Sequence, residues 1–241
     1  AREFEISELD TAVGYGDAQR RIASYGTDFR LTSKVSGLCV SVHVESSLMS
    51  MGLEALDSVL IHDWDAMSTE QRMASTHDLG ELREQGVIGR AGVSVYDAVG
   101  LEAAAEVFDA VGVPLMTVQV PANVLDRRLD ESGVLAELAA SGAHVVVRSV
   151  FLQGILLASG GGLADHRDVA SFRDSIDGRS SALEACLGHV QGLPWATHVV
   201  VGATSTRELS EIVTAWQSCS PGMLEASLAS SDPDLIDPRR W

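Results

Sequence analysis

The stretch DSVLIHDWDAMSTEQRMASTHDLGELREQ, residues 57–85, contains one complete structural phrase. Ser58–Ile61 is a short apolar run, His62 stands at its end, and Thr69–Gln85 carries apolar residues at helical spacing. A continuous apolar run suits a strand covered on both faces. A strand followed by an amphipathic helix is the opening of a βαβ unit. The same phrase recurs on either side. Candidate strands are Glu5–Leu9, Phe29–Ser33, Ser58–Ile61, Arg90–Val93, Leu115–Val118, His144–Val147 and His198–Val201. Candidate helices include Thr69–Gln85, Ala98–Ala110, Gly133–Ser141, Ser180–Gln191 and Ser205–Trp216. Two strands share a spelling, Ala143-His144-Val145-Val146-Val147 and Thr197-His198-Val199-Val200-Val201, as repeated β/α units do. Alternating strands and helices imply an α/β fold on a parallel sheet.

The residues that end the strands decide between the two common parallel architectures. Asp10 follows Leu9, Lys34 follows Ser33, His62 follows Ile61, Ser94 follows Val93, Gln119 follows Val118 and Arg148-Ser149 follow Val147. In a parallel barrel all of these converge on the C-terminal face, where active sites form. An open doubly wound sheet brings together only those at its switch point. No glycine-rich dinucleotide fingerprint follows any strand; Gly160-Gly161-Gly162 lies in a long loop without the required spacing. The expectation is therefore one barrel domain over residues 1–241, with an irregular tail over 218–241 and a loop over Leu156–Ser180. Seven strands are visible where a closed barrel has eight, and Ala1–Phe4 reads as a helix end leading into a strand. The first β/α unit is expected to lie outside these 241 residues.

Composition narrows the function classes. Seventeen Lys and Arg face 34 Asp and Glu, a formal charge of −17, which repels phosphate backbones and argues against a nucleic-acid partner. An anionic cofactor then needs a local cluster of donors. No apolar run approaches the ~20 residues of a membrane helix, and no signal-peptide pattern opens the sequence. Cys39, Cys186 and Cys219 have no metal-ligand spacing and read as thiols of a reducing cytoplasm. No metal site is expected.

Singly, the strand-end residues fit plain structural roles: Asp10 as a cap, Lys34 as a solvated charge, His62 as a satisfied core histidine. Together they resemble the aldo-keto reductase family. Leu9-Asp10-Thr11-Ala12-Val13-Gly14-Tyr15-Gly16 is similar to the family motif in which Asp precedes Tyr by five residues. Leu31–Val35 resembles the strand delivering the family lysine, and Asp57–His62 the strand delivering its histidine. Ile88–Ser94, Val118–Asn123 and Arg148–Gly154 follow in the expected order, and the resemblance runs to about Trp216.

The resemblance implies a (β/α)8 TIM barrel and an NAD(P)-dependent oxidoreductase acting on an aldehyde, ketone or sugar. It implies Tyr15, Asp10, Lys34 and His62 as the catalytic group. The chemistry is coherent: hydride transfer to a carbonyl builds charge on oxygen, which needs a proton donor and electrostatic support. A phenol, with an ordinary pKa of ~10, is a weak acid at neutral pH, and a neighbouring ammonium favours its ionised form. Asp10 would hold Lys34, and His62 would orient the carbonyl.

Cofactor contacts implied by the same resemblance are Ser94, Gln119, Arg148, Ser149, Leu152, Gly202, Thr204 and Arg207. Ser94 and Gln119 would meet the nicotinamide carboxamide, Ser149 and Leu152 the pyrophosphate. The cofactor is NADP or NAD, because Ala203, Glu208 and Ile212 do not resemble a 2′-phosphate clamp and Arg207 is the one nearby cation. Val95 stands where an Asn is common, and Trp64 is either a pocket wall or loop packing. Two alternatives keep the barrel: a redox-independent isomerase or dehydratase, and a non-catalytic scaffold. The low aromatic content, 5 %, leans toward a polar substrate.

Overall fold

Every expected strand forms, and each begins within three residues of its predicted start. The computed structural model describes residues 1–25, 28–130, 133–176, 178 and 180–241. Its strands are β1 (Glu8–Ala12), β2 (Arg30–Val35), β3 (Leu56–Ile61), β4 (Ile88–Ser94), β5 (Thr117–Pro121), β6 (His144–Arg148) and β7 (His198–Val199). The helices described are α1 (Ala18–Tyr25), α2 (Val40–Met51), α3 (Thr69–Glu84), α4 (Ala98–Val111), α5 (Gly133–Ala140), α6 (Arg167–Ile176), α7 (Ala182–Gln191), α8 (Thr206–Ser218) and α9 (Pro233–Ile236). Strand neighbours follow chain order from β1 to β7. The pairings β1–β2, β2–β3, β3–β4, β4–β5 and β6–β7 are all parallel. This is the α/β order expected of successive β/α units.

By its contacts the chain divides into two compact units, Ala1–Gln119 with Glu137–Val145, and Val120–Ala136 with Val146–Trp241. In the first, the apolar run of residues 59–61 is wholly buried, as a strand covered on both faces requires. The following helix α3 starts where its sequence says it should. Ser68 accepts from the Gln71 N–H while the Gln71 side chain accepts from the Ser68 N–H, satisfying two otherwise orphaned donors. Asp97 caps α4 from one side only, its side chain accepting from the Gly100 N–H at 2.9 Å. Glycine is obligatory at position 92, because a Cβ there would lie 1.8 Å from the Thr117 carbonyl oxygen where β4 meets β5.

Strand limits differ from expectation: Ser94 and Arg148 are the last residues of β4 and β6, Gln119 lies inside β5, and two further shifts bear on the site. Strand β1 covers Glu8–Ala12 rather than Glu5–Leu9, so Asp10 lies inside the ladder, opposite Thr32. Lys34 likewise belongs to β2, opposite Ala12 and Leu60. Pairing partners, not the apolar run, set these ends. Trp64 is core rather than pocket wall. It is fully buried, its Nε1 donates to the Gly100 carbonyl at 3.1 Å, and its ring packs 6.0 Å from that of Phe108.

In the second unit the segment predicted as a loop, Leu156–Ser180, contains α6. Val169, Phe172 and Ile176 recur at helical spacing and are buried, which supplies the missing driving force. The tail after Ser218 is largely irregular, as expected, but it is tied down. Gly222 N–H donates to the Gly188 carbonyl at 2.9 Å, Ser230 N–H to the Leu125 carbonyl at 2.9 Å, and Leu224 N–H to His189 Nδ1 at 3.3 Å.

That last bond has a pH consequence. Burial, with the Arg127 charge adding to it, pushes the His189 imidazole down to about 4. Nδ1 must be unprotonated to accept from Leu224. The unfolded chain, with histidine near its ordinary ~6.5, takes up the proton first, so this contribution to stability is whole above that value. It is lost as pH falls toward 4, a loss of about 3 kcal/mol over the window. Urea midpoints measured from pH 7 to 4 should fall more gently in His189→Asn, which retains an acceptor without the titration. Parallel curves would mean that His189 is not the group responsible.

Candidate active site

In the first unit, β1 and β2 lie side by side and put Asp10 and Lys34 into contact: the Lys34 ammonium donates to Asp10 Oδ2. Lys34 is 2 % exposed and the Asp10 side chain 16 %. A charge so withdrawn from water needs its second oxygen satisfied as well. Gln119 on β5 does this, donating Nε2 to Asp10 Oδ1 at 2.9 Å.

The turn after β1 carries Tyr15 above this pair. Val13 N–H donates to the Lys34 carbonyl and Tyr15 N–H to that of Ala12, and Gly16 takes φ 59° to bring the chain round. The Lys34 ammonium lies 5.2 Å from the centroid of the Tyr15 ring. The His62 ring meets the same ring edge-on, 6.1 Å between centroids at 85°. Tyr15 is 46 % exposed, an aromatic held at the surface against the buried Lys34. Thus all four members of the expected catalytic group are neighbours. Ser94 ends β4 buried, and the backbone beyond it is secured by Val95 N–H donating to the Gln119 carbonyl at 3.0 Å.

One supporting residue escaped the sequence reading. Asp63, directly after His62, accepts from the Gly37 N–H at 2.9 Å and from the Ser36 hydroxyl at 2.7 Å. It ties the turn after Lys34 to the turn that begins with His62. The signal in the sequence is an acid next to the histidine, and an acid in a turn is more often simply solvated.

In the second unit, Arg148 closes β6 and donates Nη1 to the Ser149 hydroxyl at 3.2 Å. The chain then turns through left-handed positions at Ser149 (φ 61°), Leu152 (φ 46°), Gln153 (φ 54°) and Gly154 (φ 88°). For residues with a Cβ each costs about 1 kcal/mol, and such strain gathers at ligand-binding loops. Leu152 serves this loop by packing. Its side chain is fully buried and its N–H is taken by the Ser149 carbonyl at 2.9 Å, so it offers no donor to a ligand. A cation and a hydroxyl at one corner of a strongly acidic chain suit a pyrophosphate.

The turn before α8 is built differently. Glu208 accepts from both the N–H and the hydroxyl of Thr204, each at 2.7 Å, and Ser205 caps the helix by accepting from the Glu208 N–H. These two donors hold the Glu208 carboxyl below the usual carboxylate range. Arg207 is 88 % exposed and faces Glu211 at 3.7 Å, while Gly202 is exposed. The helix end that suits a phosphate thus already carries the chain's own anion.

The sequence profile described as the Aldo/keto reductase family matches residues 9–221. The chain belongs to that family. No curated protein sequence matches it. Among solved structures it is similar to the aldo-keto reductase AKR11C1 from Bacillus halodurans, in apo and holo forms, at TM-score 0.75 and 22 % identity over 100 % of this chain and 87 % of that one. It is also similar to a putative aldo-keto reductase, PA4992, from Pseudomonas aeruginosa, at TM-score 0.65 and 22 % identity over 90 % of this chain and 76 % of that one. As an aldo-keto reductase the protein is an NAD(P)-dependent oxidoreductase of a family that acts on small-molecule carbonyl compounds. Among the described residues, no helix of this aldo-keto reductase is long and apolar enough to cross a membrane.

Proposed function

We propose that the protein reduces a polar aldehyde, ketone or sugar carbonyl, or oxidises the matching alcohol, with Tyr15 as general acid and NADH as the preferred cofactor. The observation that carries the reading is the Asp10–Lys34 pair set beneath an exposed tyrosine beside a histidine. Bound nicotinamide supplies the hydride. The chain does the rest. Tyr15 presents its hydroxyl to the carbonyl oxygen and gives up its proton there. Lys34 keeps positive charge beside the ring, favouring the phenolate that remains, and Asp10 prevents the lysine from leaving. His62 holds the carbonyl in line with the Tyr15 hydroxyl. Gln119, whose Nε2 serves Asp10, would hold the carboxamide of the cofactor through its remaining carbonyl oxygen, together with Ser94. Arg148 and Ser149 would hold the pyrophosphate, and Gly202 and Thr204 would border the adenosine.

Preference for NADH rests on Glu208. Its carboxylate fills the turn at Thr204 where a 2′-phosphate would need donors, Ala203 adds no cation, and Arg207 is turned toward Glu211. An acid there repels a phosphate and accepts from a free ribose hydroxyl. Trp64, packed in the core, is not available as an apolar pocket wall, which supports the polar substrate class.

Protein fluorescence titrated with each cofactor tests the reading. NADH should quench with a dissociation constant about tenfold or more below that of NADPH, and Glu208→Gln should tighten NADPH by about tenfold while changing NADH less than threefold. Quenching by neither cofactor would remove the redox reading in favour of proton-shuffling chemistry on the same group. Quenching by both, unaltered in Glu208→Gln, would remove the preference alone.

A further inference from the structure

The left-handed corner at Ser149 has an identifiable keeper. We propose that Asn123 is a positioning residue whose side-chain amide holds the loop after β6 in the conformation that turns Arg148 and Ser149 toward their ligand. Asn123 is 1 % exposed and stands just beyond β5. Its two halves do different work. Oδ1 accepts from the N–H groups of Leu125 and Asp126, both at 2.9 Å, and shapes its own turn. Nδ2 reaches across 26 residues of sequence and donates to the Ser149 carbonyl at 3.0 Å.

That carbonyl is the pivot of the loop. It also accepts the Leu152 N–H at 2.9 Å, closing the turn in which Ser149, Leu152 and Gln153 are left-handed. Side chains with a Cβ persist in this region only where neighbours over-determine them. One residue earlier, the Arg148 carbonyl accepts from the Ala122 N–H at 3.1 Å, so the strand end is held from the same side. Without the Nδ2 bond, the Ser149 carbonyl keeps the loop's own turn as its restraint. Relaxation of Ser149 toward negative φ would rotate the peptide that follows and carry the hydroxyl away from Arg148. The anion-binding consequence rests on the proposed role of Arg148 and Ser149; the conformational one does not.

Asn123→Asp separates the two halves, since it preserves the shape and the acceptor but faces the Ser149 carbonyl with oxygen instead of N–H. Hydrogen exchange of amides 150–153 in the protein without cofactor should accelerate about tenfold or more beyond any change in β3, while the unfolding midpoint falls because a carboxyl replaces a buried amide. The dissociation constant for ADP-ribose, which lacks the nicotinamide, should rise about tenfold, with kcat at saturating cofactor changed less than threefold. Ser149→Gly approaches the question from the other side. Asn123 still binds its backbone carbonyl, so exchange at 150–153 should stay within about twofold of the parent.

Unchanged exchange in Asn123→Asp overturns the proposal. So does a Ser149→Gly loop as loose as that expected of Asn123→Asp, because the Ser149 hydroxyl would then be the restraint. If Asn123→Asp does not fold, that second result decides alone. Faster exchange in Asn123→Asp with no ADP-ribose binding even in the parent supports the positioning role and overturns the cofactor reading instead.

Discussion

Tyr15→Phe is expected to lower kcat by about 10²–10⁴-fold while leaving the cofactor dissociation constant within about threefold. The size follows from what is removed. The phenolic hydroxyl is the proposed proton donor, and the substitution deletes one oxygen from a ring that is 46 % exposed. The ring's contacts with Lys34 and His62, 5.2 Å and 6.1 Å to its centroid, remain available to phenylalanine. A surface change that buries nothing new should stay within about 0.5 kcal/mol of the parent in stability. Steady-state kinetics with a panel of aldehydes and sugars, alongside urea unfolding, would check both halves. Activity above a tenth of the parent would exclude Tyr15 as the acid. An inactive parent with normal folding would move the protein to the scaffold reading.

Lys34→Met should be the costliest single change to the fold as well as to the chemistry. Methionine fits the volume of the lysine stem but leaves the Asp10 carboxyl without its ammonium partner. Lys34 is 2 % exposed and Asp10 16 %, so water cannot fully replace the lost ammonium. Breaking such a pair from one side costs about 3–5 kcal/mol, with the lower end favoured here because Gln119 still donates to Asp10. Removing the charge from the other side as well, in Lys34→Met/Asp10→Asn, should return about 1–3 kcal/mol as coupling. Activity should not return with it, because the charge beside Tyr15 is absent from both. Denaturant unfolding of the parent, the two single variants and the double variant gives the cycle. Strictly additive losses would show that the two side chains do not act as a buried pair.

The elements legible in the sequence are those whose cause is local. Ser68 and Gln71 close a capping box within four residues, and helix α3 accordingly begins where predicted. The apolar runs of β3 and β4 named themselves because both faces are buried. Helix α6 was just as local, with Val169, Phe172 and Ile176 on one face, and was missed because the glycines at 160–162 dominate that region as a loop signal. The limits of β1 were not local. Glu8–Ala12 is a strand because Arg30–Lys34 lies beside it to complete the ladder, and an isolated pentapeptide carries no trace of that partner.

The same division runs through the site. Residue identity and order named Asp10, Tyr15, Lys34 and His62 through their resemblance to the aldo-keto reductase motifs, since each taken singly fits a plain structural role. Tertiary structure decided how each is held. Gln119 reaches Asp10 across 109 residues, Asp63 joins two turns 26 residues apart, and Asn123 meets Ser149 over the same interval. Leu152, expected along the pyrophosphate, turned inward, and of the two readings of Trp64 the packed one holds. Chemistry belongs to side chains and is written in the sequence, whereas a hydrogen-bond partner or a buried face exists only once distant segments have been brought together.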